Sequence, residues 1–123
     1  MAGGSGGYIY VATKNVYDEN TYSPNAIIEA KGGYGRGNSF SGAGGVVVFD
    51  EGFDIPHDQV DISGGISESA DESGCQNGAA GTLWYRPSDH LVVKNNVTVS
   101  DRYTVVKPPS GGLHLAKELT ILD

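Results

Sequence analysis

The sequence predicts an all-β protein built from stacked coils, of the parallel β-helix or β-solenoid type. The first observation is a repeated phrase, in which two small residues precede a short run of β-forming side chains. Its clear copies are GGYIYV at 6–11, GGVVVF at 44–49 and AGTLWY at 80–85, with a weaker copy, GGLHLA, at 111–116. The clear copies begin about 36 to 38 residues apart, and such a period is typical of stacked repeat units. The second observation is that helical periodicity is almost absent, apart from a doubtful stretch at 113–122.

Strand-like runs follow one another along the whole chain. They are 8–13, 26–30, 45–49, 60–63, 82–85, 90–94, 97–100, 103–107 and 119–122. The first three begin near residues 8, 27 and 46, at intervals of about 19 residues, which suits one coil of a β-helix. The later spacing is less regular. We therefore predict glycine-rich solenoid repeats over 3–85, and C-terminal strands or a hairpin over 86–123 that close or extend the solenoid.

Glycine is the residue type that such coils require at their corners. The chain has 19 glycines in 123 residues, without the three-residue period of collagen. Glycine turns sharply at no steric cost and lets neighbouring backbones approach closely. Alignment of the phrase predicts two buried columns, made of Ile9, Val47 and Leu83 and of Val11, Phe49 and Tyr85. It places Tyr8, Tyr10, Val46, Val48, Thr82 and Trp84 on the opposite face.

An antiparallel β-sandwich with glycine-rich turns is the competing architecture. It would account for the closely spaced strands after His90, where Asn95 and Asn96 could form a hairpin turn. The repeat spacing favours the solenoid.

Charge and hydrophobicity narrow the classes of partner. The net charge of −7 argues against a nucleic-acid backbone and against an anionic membrane surface. No apolar run approaches the roughly 20 residues that span a bilayer, so we expect no membrane insertion. The repeat phrase begins almost at Met1, which suggests a piece of a longer protein.

Three glycine-rich segments carry a resemblance to a known group of proteins. They are GGSGGYIYV at 3–11, IEAKGGYG at 28–35 and GAGGVVV at 42–48, and the most specific match is SGGIS at 63–67 followed by GCQNGAAGTL at 74–83. These segments resemble the glycine-rich, β-helix-like repeat region of large cell-surface proteins of plants and protists. The resemblance covers roughly 3–85. It implies an extracellular or cell-surface location, and it brings no catalytic residues with it.

Two residues are candidates for covalent chemistry. Cys75 is the single cysteine, so it is either a thiol that pairs with a partner chain or a small buried residue in a glycine-rich turn. Asn96 begins the triplet Asn-Val-Thr, which is a glycosylation acceptor if the chain is secreted.

The acidic residues raise two further functions. Carboxylates are the ligands that calcium prefers, and they cluster as Asp50, Glu51, Asp54, Asp58 and Asp61 and as Glu68, Asp71 and Glu72. Their spacing matches no calcium-binding loop, so a solvated acidic face is the preferred interpretation. Paired carboxylates also act in polysaccharide-cleaving β-helix enzymes. However, His57, His90 and His114 lack metal-binding spacing, and no nucleophile motif occurs. We therefore predict no enzyme and no cofactor.

The outward aromatic residues Tyr8, Tyr10 and Trp84 are candidates for glycan or partner contact. The preferred function is an extracellular structural or adhesive solenoid unit. It would act by self-association, or as part of a larger surface protein or filament with flanking repeats. A carbohydrate-binding module that uses the aromatic residues, with polysaccharide as ligand, is the first alternative. A polysaccharide-active enzyme is the second.

Overall fold

A computed structural model describes residues 1–12, 25–50, 55–69, 76–95, 104 and 116–122. This part of the chain is rich in strands and almost free of helix, as expected for an all-β protein. The strands are β1 (Tyr8–Val11), β2 (Ile28–Glu29), β3 (Val46–Phe49), β4 (Val60–Asp61), β5 (Gly81–Tyr85), β6 (His90–Lys94) and β7 (Glu118–Leu122). A short 3₁₀ turn, His57–Gln59, precedes β4.

The described strands form two sheets, and from β1 to β5 the chain alternates between them. The larger sheet has the order β1-β3-β5-β6-β7, and the smaller one pairs β2 with β4. Pairing is parallel for β1–β3, β3–β5, β2–β4 and β6–β7. The β5–β6 pair is the antiparallel one among the described strands. An antiparallel sandwich therefore does not describe this part of the chain.

The two predicted columns are confirmed by the strand register. Ile9 pairs with Val47 and Val47 with Leu83, while Val11, Phe49 and Tyr85 align in the same way. The members on β3 and β5 are buried, and Val47, Phe49 and Leu83 have no exposed surface. Ile9 and Val11 are only partly buried, because β1 is an edge strand. Ala30, Ile55, Val60, Ile62 and Val92 complete the core.

The glycine-rich segments outside the strands pack backbone against backbone. The hydrogen bonds that join two such segments recur at intervals of three residues along each of them. The first pair of segments is joined by Gly3 N to Phe40 O (3.0 Å) and Gly6 N to Ala43 O (2.9 Å). In the other two pairs the segments run in opposite directions: Gly42 N to Gly33 O (3.0 Å) and Gly45 N to Ala30 O (2.7 Å), and Gly78 N to Gly65 O (3.0 Å) and Gly81 N to Ile62 O (2.8 Å). Three residues per turn is the period of the polyproline II helix, which has no internal hydrogen bonds. Each segment therefore satisfies its backbone through its neighbours.

Glycine is required in these segments because the backbones are so close. A Cβ added to Gly42 would lie 1.8 Å from Gly4 O, and one added to Gly78 would lie 1.8 Å from Gly42 O. No side chain fits at such distances. These glycines thus let adjacent glycine-rich segments touch.

The C-terminal part begins with the β5–β6 hairpin. Its turn spans 86–89 and ends at Asp89, whose φ of 54° is a left-handed conformation that aspartate tolerates better than most residues. The predicted last strand is confirmed as β7, so 118–122 is not helical. The strands predicted at 97–100 and 103–107 lie, except for Thr104, outside the described residues.

Candidate functional site

The three aromatic residues predicted as contact residues lie on one face of the larger sheet, which we call the outer face. Tyr10, Val48 and Trp84 form one cross-strand row, and Tyr8 begins the neighbouring row. Tyr8 is 66% exposed and Tyr10 is 48% exposed, whereas Trp84 is half-buried. The sequence therefore identified a shared face, although it did not predict that Trp84 is partly covered.

The outer face continues in the same chemical character across β6 and β7. Leu91 and Leu119 extend the Tyr10 row, and Val93 and Ile121 extend the other row. Leu119 and Ile121 are largely exposed. Both rows contain apolar, aromatic and hydroxyl side chains and no charged ones. Val48 and Thr82, in the middle of the rows, are buried, so the most exposed side chains of this face lie on β1 and β7.

A polar cluster lies beside the aromatic residues, where β1, β3 and β5 end. The Tyr10 hydroxyl donates a hydrogen bond to the Asp50 carboxylate. Arg86 Nη1 lies 3.0 Å from Asp50 Oδ2 and forms an ion pair with it. The hydrogen bond to Asp50 raises the pKa of Tyr10 above its ordinary value. The alignment of the repeated phrase places Asp50 and Arg86 at equivalent positions, directly after β3 and β5. It could therefore have predicted their contact, but the sequence analysis did not name Arg86.

A second polar cluster surrounds Asp61 on the smaller sheet. The backbone N–H and the hydroxyl of Ser63 both donate to Asp61 Oδ1, at 3.0 and 2.5 Å. Lys31 Nζ lies 3.8 Å from Asp61 Oδ2. Burial alone would raise the pKa of Asp61, but the Ser63 hydrogen bonds and the positive charges of Lys31 and Lys94 hold it below the ordinary value. This carboxylate is fixed in place as an acceptor.

Lys94 is a buried cation that the sequence analysis did not identify. Its side chain lies on the inner side of β6 and is only 6% exposed. Its ammonium group donates to His57 O at 2.8 Å and to Val60 O at 3.3 Å. Lys94 therefore ties β6 to the turn that precedes β4. Nothing in the strand pattern distinguishes it from a solvated lysine.

The acidic residues are not gathered into one site within the described ranges. Asp50 and Asp61 belong to the two separate clusters above, and Glu68 Oε2 accepts a hydrogen bond from Gly37 N at 2.7 Å. No group of three potential metal-ligating side chains occurs among the residues that the structure describes. Asp58 is exposed in the 3₁₀ turn. The other predicted acidic residues, Glu51, Asp54, Asp71 and Glu72, lie outside the described residues, as do Cys75 and Asn96.

The two described histidines, His57 and His90, differ in their side-chain contacts. His90 Nε2 lies 2.8 Å from Thr120 Oγ1, and its ring stacks on Tyr85 with a centroid separation of 5.8 Å. His57 Nδ1 is buried without a hydrogen-bond partner among the described residues. His114 lies outside them.

Comparisons with known proteins gave no relative from which a function could be transferred. The chain matches no family model, no curated protein and no solved structure. Within the described residues, no helix is long and apolar enough to cross a membrane.

Proposed function

We propose that the chain is an extracellular structural or adhesive unit of the β-solenoid type, which acts by assembly with further coils. The observation that carries this proposal is the in-register parallel ladder of β1, β3 and β5, alongside the parallel pair of β2 and β4. Stacked coils of this kind contact mainly their neighbours, and an uncapped end leaves backbone groups that seek a partner.

The open end of the ladder supports assembly as the mechanism. Among the described strands, β1 and β2 are both edge strands, and they are the first two along the chain. An added strand would extend either ladder through backbone hydrogen bonds and would need no new side-chain chemistry. The added coils would come from flanking repeats of a larger surface protein or from other copies of the chain. The extracellular location rests on the resemblance of the glycine-rich segments to surface proteins.

The native mass of the protein from its source tests this function. The proposal predicts either a polypeptide longer than this 12.8 kDa chain or particles that contain several copies, visible by light scattering and electron microscopy. A native particle that is monomeric at high concentration and has the mass of this chain alone would contradict it.

Carbohydrate binding on the outer face is a second candidate function, and the Tyr10 row favours it. Tyr10 and Trp84 are separated by two strand spacings, about 9.6 Å. Val48 between them is buried and Trp84 is half-buried, so Tyr10 and the neighbouring Tyr8 offer the exposed rings. Aromatic rings of this kind stack on sugar rings. Asp50 and Arg86, at the same edge, would supply an acceptor and a donor for sugar hydroxyls.

A glycan array followed by calorimetry tests the carbohydrate candidate. Trp84→Ala is expected to abolish binding of any polysaccharide that the chain retains. Phe40→Ala is the matched control, because Phe40 is a half-exposed aromatic residue outside the larger sheet. Equal binding by both variants would place the ligand elsewhere.

A further inference from the structure

The sequence contains a single Asn-Gly pair, Asn77 followed by Gly78, and the fold uses both residues. Asn77 Oδ1 accepts a hydrogen bond from Ser67 N at 2.9 Å. Gly78 is buried, and a Cβ at this position would lie 1.8 Å from Gly42 O. Two separate packing requirements therefore fall on adjacent residues, and together they create the pair.

An Asn-Gly pair is chemically reactive because its backbone can attack its own side chain. The nitrogen of Gly78, once it has lost its proton, forms a bond to Cγ of Asn77. The side-chain nitrogen of Asn77 then leaves as ammonia, and a cyclic succinimide remains. Glycine hinders this attack least, because it carries no Cβ beside the attacking nitrogen. Of the asparagines in this chain, Asn77 is thus the one that its following residue makes most reactive.

Water opens the succinimide in one of two ways. Cleavage of the new bond between Cγ and nitrogen gives aspartate at position 77. Cleavage of the original backbone bond gives isoaspartate, in which the main chain runs through Cβ and Cγ. The overall reaction consumes water, releases ammonia and needs no oxidant or enzyme. It also adds a negative charge to a chain whose net charge is already −7.

The folded structure engages both of the reacting groups. Gly78 N donates a hydrogen bond to Gly65 O at 3.0 Å, and this bond must break before the nitrogen can attack. The carboxamide of Asn77 is held through its oxygen by Ser67 N. Both contacts join the segment 76–80 to its neighbour 62–67. Ring formation therefore requires these two segments to separate locally.

We propose that Asn77 is a site of spontaneous deamidation that the folded protein suppresses, so that unfolded chains are the ones modified. The contacts that make asparagine and glycine necessary at 77 and 78 are the same contacts that prevent their reaction. The suppression involves no partner chain, so it is independent of the proposed function.

The isoaspartate product would mark a chain that has been unfolded. It inserts a methylene group into the backbone between positions 77 and 78. The alignment of 77 with Ser67 and of Gly78 with Gly65 cannot then be kept together, and the contact of Gly78 with Gly42 O leaves no room for adjustment. The aspartate product keeps the normal backbone and an oxygen acceptor for Ser67 N. We therefore expect aspartate chains to refold and isoaspartate chains to fail.

Peptide mapping of the full chain after incubation at mildly alkaline pH tests the proposal. Asn77 should deamidate at least about a hundredfold more slowly in the folded protein than in guanidinium chloride, because the reaction waits for local opening. Ser39→Gly is the matched control, because it creates a second Asn-Gly pair at the exposed Asn38. It keeps the hydrogen bond from Ser67 Oγ, which goes to the backbone oxygen of residue 39. In this folded variant, position 38 should react much faster than Asn77 in the same sample.

Each part of the proposal has an outcome that would overturn it. Equal rates at Asn77 in folded and unfolded chains would exclude suppression by the fold, as would equal rates at positions 38 and 77 in folded Ser39→Gly. An unfolded chain that stays unmodified at Asn77 would exclude the site. Asn77→Asp supplies the aspartate product in pure form and should refold with a midpoint near that of the wild type. Purified isoaspartate chains that refold to the same midpoint would exclude the marking of unfolded chains.

Discussion

Phe49 is the largest fully buried side chain among the described residues. It has no exposed surface and lies between Val11 and Tyr85 in one column. Its ring centroid is 5.5 Å from that of Tyr85, with the planes tilted by 37°. Phe49→Ala would leave a cavity that the stacked strands cannot close, so we expect the free energy of unfolding to fall by about 3–5 kcal/mol.

Chemical denaturation measures this loss, and Phe40→Ala is the control. Phe40 is 50% exposed, so the same truncation should cost less than half as much there. Equal losses in the two variants would show that the column does not form the core.

Asp61 is expected to make the stability of the protein depend on pH in the acid range. Its pKa in the folded protein lies below the ordinary value of 3.8, because the effect of burial is outweighed by the Ser63 hydrogen bonds and by Lys31 and Lys94. The unfolded chain therefore binds the proton more readily than the folded chain does. The stabilisation is complete above the ordinary value, and it is lost as the pH falls through the folded-state pKa.

Comparison of Asp61→Asn with Asp58→Asn tests the role of Asp61. In Asp61→Asn, part of the loss of stability between neutral pH and strongly acidic pH should disappear, whereas the exposed control should behave like the wild type. Unfolding midpoints across this range give the result. Parallel curves for all three proteins would exclude Asp61 as the cause.

The sequence predicted individual residues well where a repeat could be aligned. Val47, Phe49 and Leu83 were assigned to the core because three copies of one phrase placed them in shared columns. Lys94 was missed because its burial depends on contacts with His57 and Val60, which lie more than thirty residues away. The outer aromatic residues were placed on the correct face, but the partial burial of Trp84 depends on tertiary packing.

At the scale of elements, the structure shows a three-residue period within the glycine-rich segments, whereas the sequence analysis found no such period of glycine. That finding holds for the whole chain, because the glycines do not repeat continuously. Within the short segments, however, Gly3 and Gly6, and likewise Gly42 and Gly45, occupy equivalent turns. Each segment provides only one or two such intervals. The period becomes visible only when the neighbouring segments and their hydrogen bonds are known.

Gly42→Ala is expected to destabilise the protein, because the new methyl group would meet Gly4 O at 1.8 Å and force the two glycine-rich segments apart. The free energy of unfolding should fall by at least about 1–3 kcal/mol, the usual cost of overpacking. Gly4→Ala is the matched control on the other side of the same contact. At low protein concentration it should leave stability unchanged or raise it by up to about 1 kcal/mol. An unchanged stability in Gly42→Ala would show that these two segments are not in backbone contact.

At the scale of the whole molecule, the sequence predicted the repeating part better than the C-terminal part. The copies of the phrase fix which strands are neighbours in β1, β3 and β5. The arrangement of β6 and β7 depends on a hairpin at 86–89 and on a parallel pairing across a long connection. Neither repeats a pattern seen earlier in the chain, so "strands or a hairpin" was as far as the sequence could go.

The net charge leads to a prediction about the association that the proposed function requires. Each copy of the chain carries a net charge of −7, so the copies repel one another at long range. Added salt screens this repulsion, because the Debye length shortens from about 10 Å at 0.1 M salt to about 3 Å at 1 M. Backbone pairing at strand edges involves no ion pairs, so association through it should strengthen as salt is raised, which sedimentation at several salt concentrations measures. An association that weakens with salt would instead indicate that ion pairs hold the copies together.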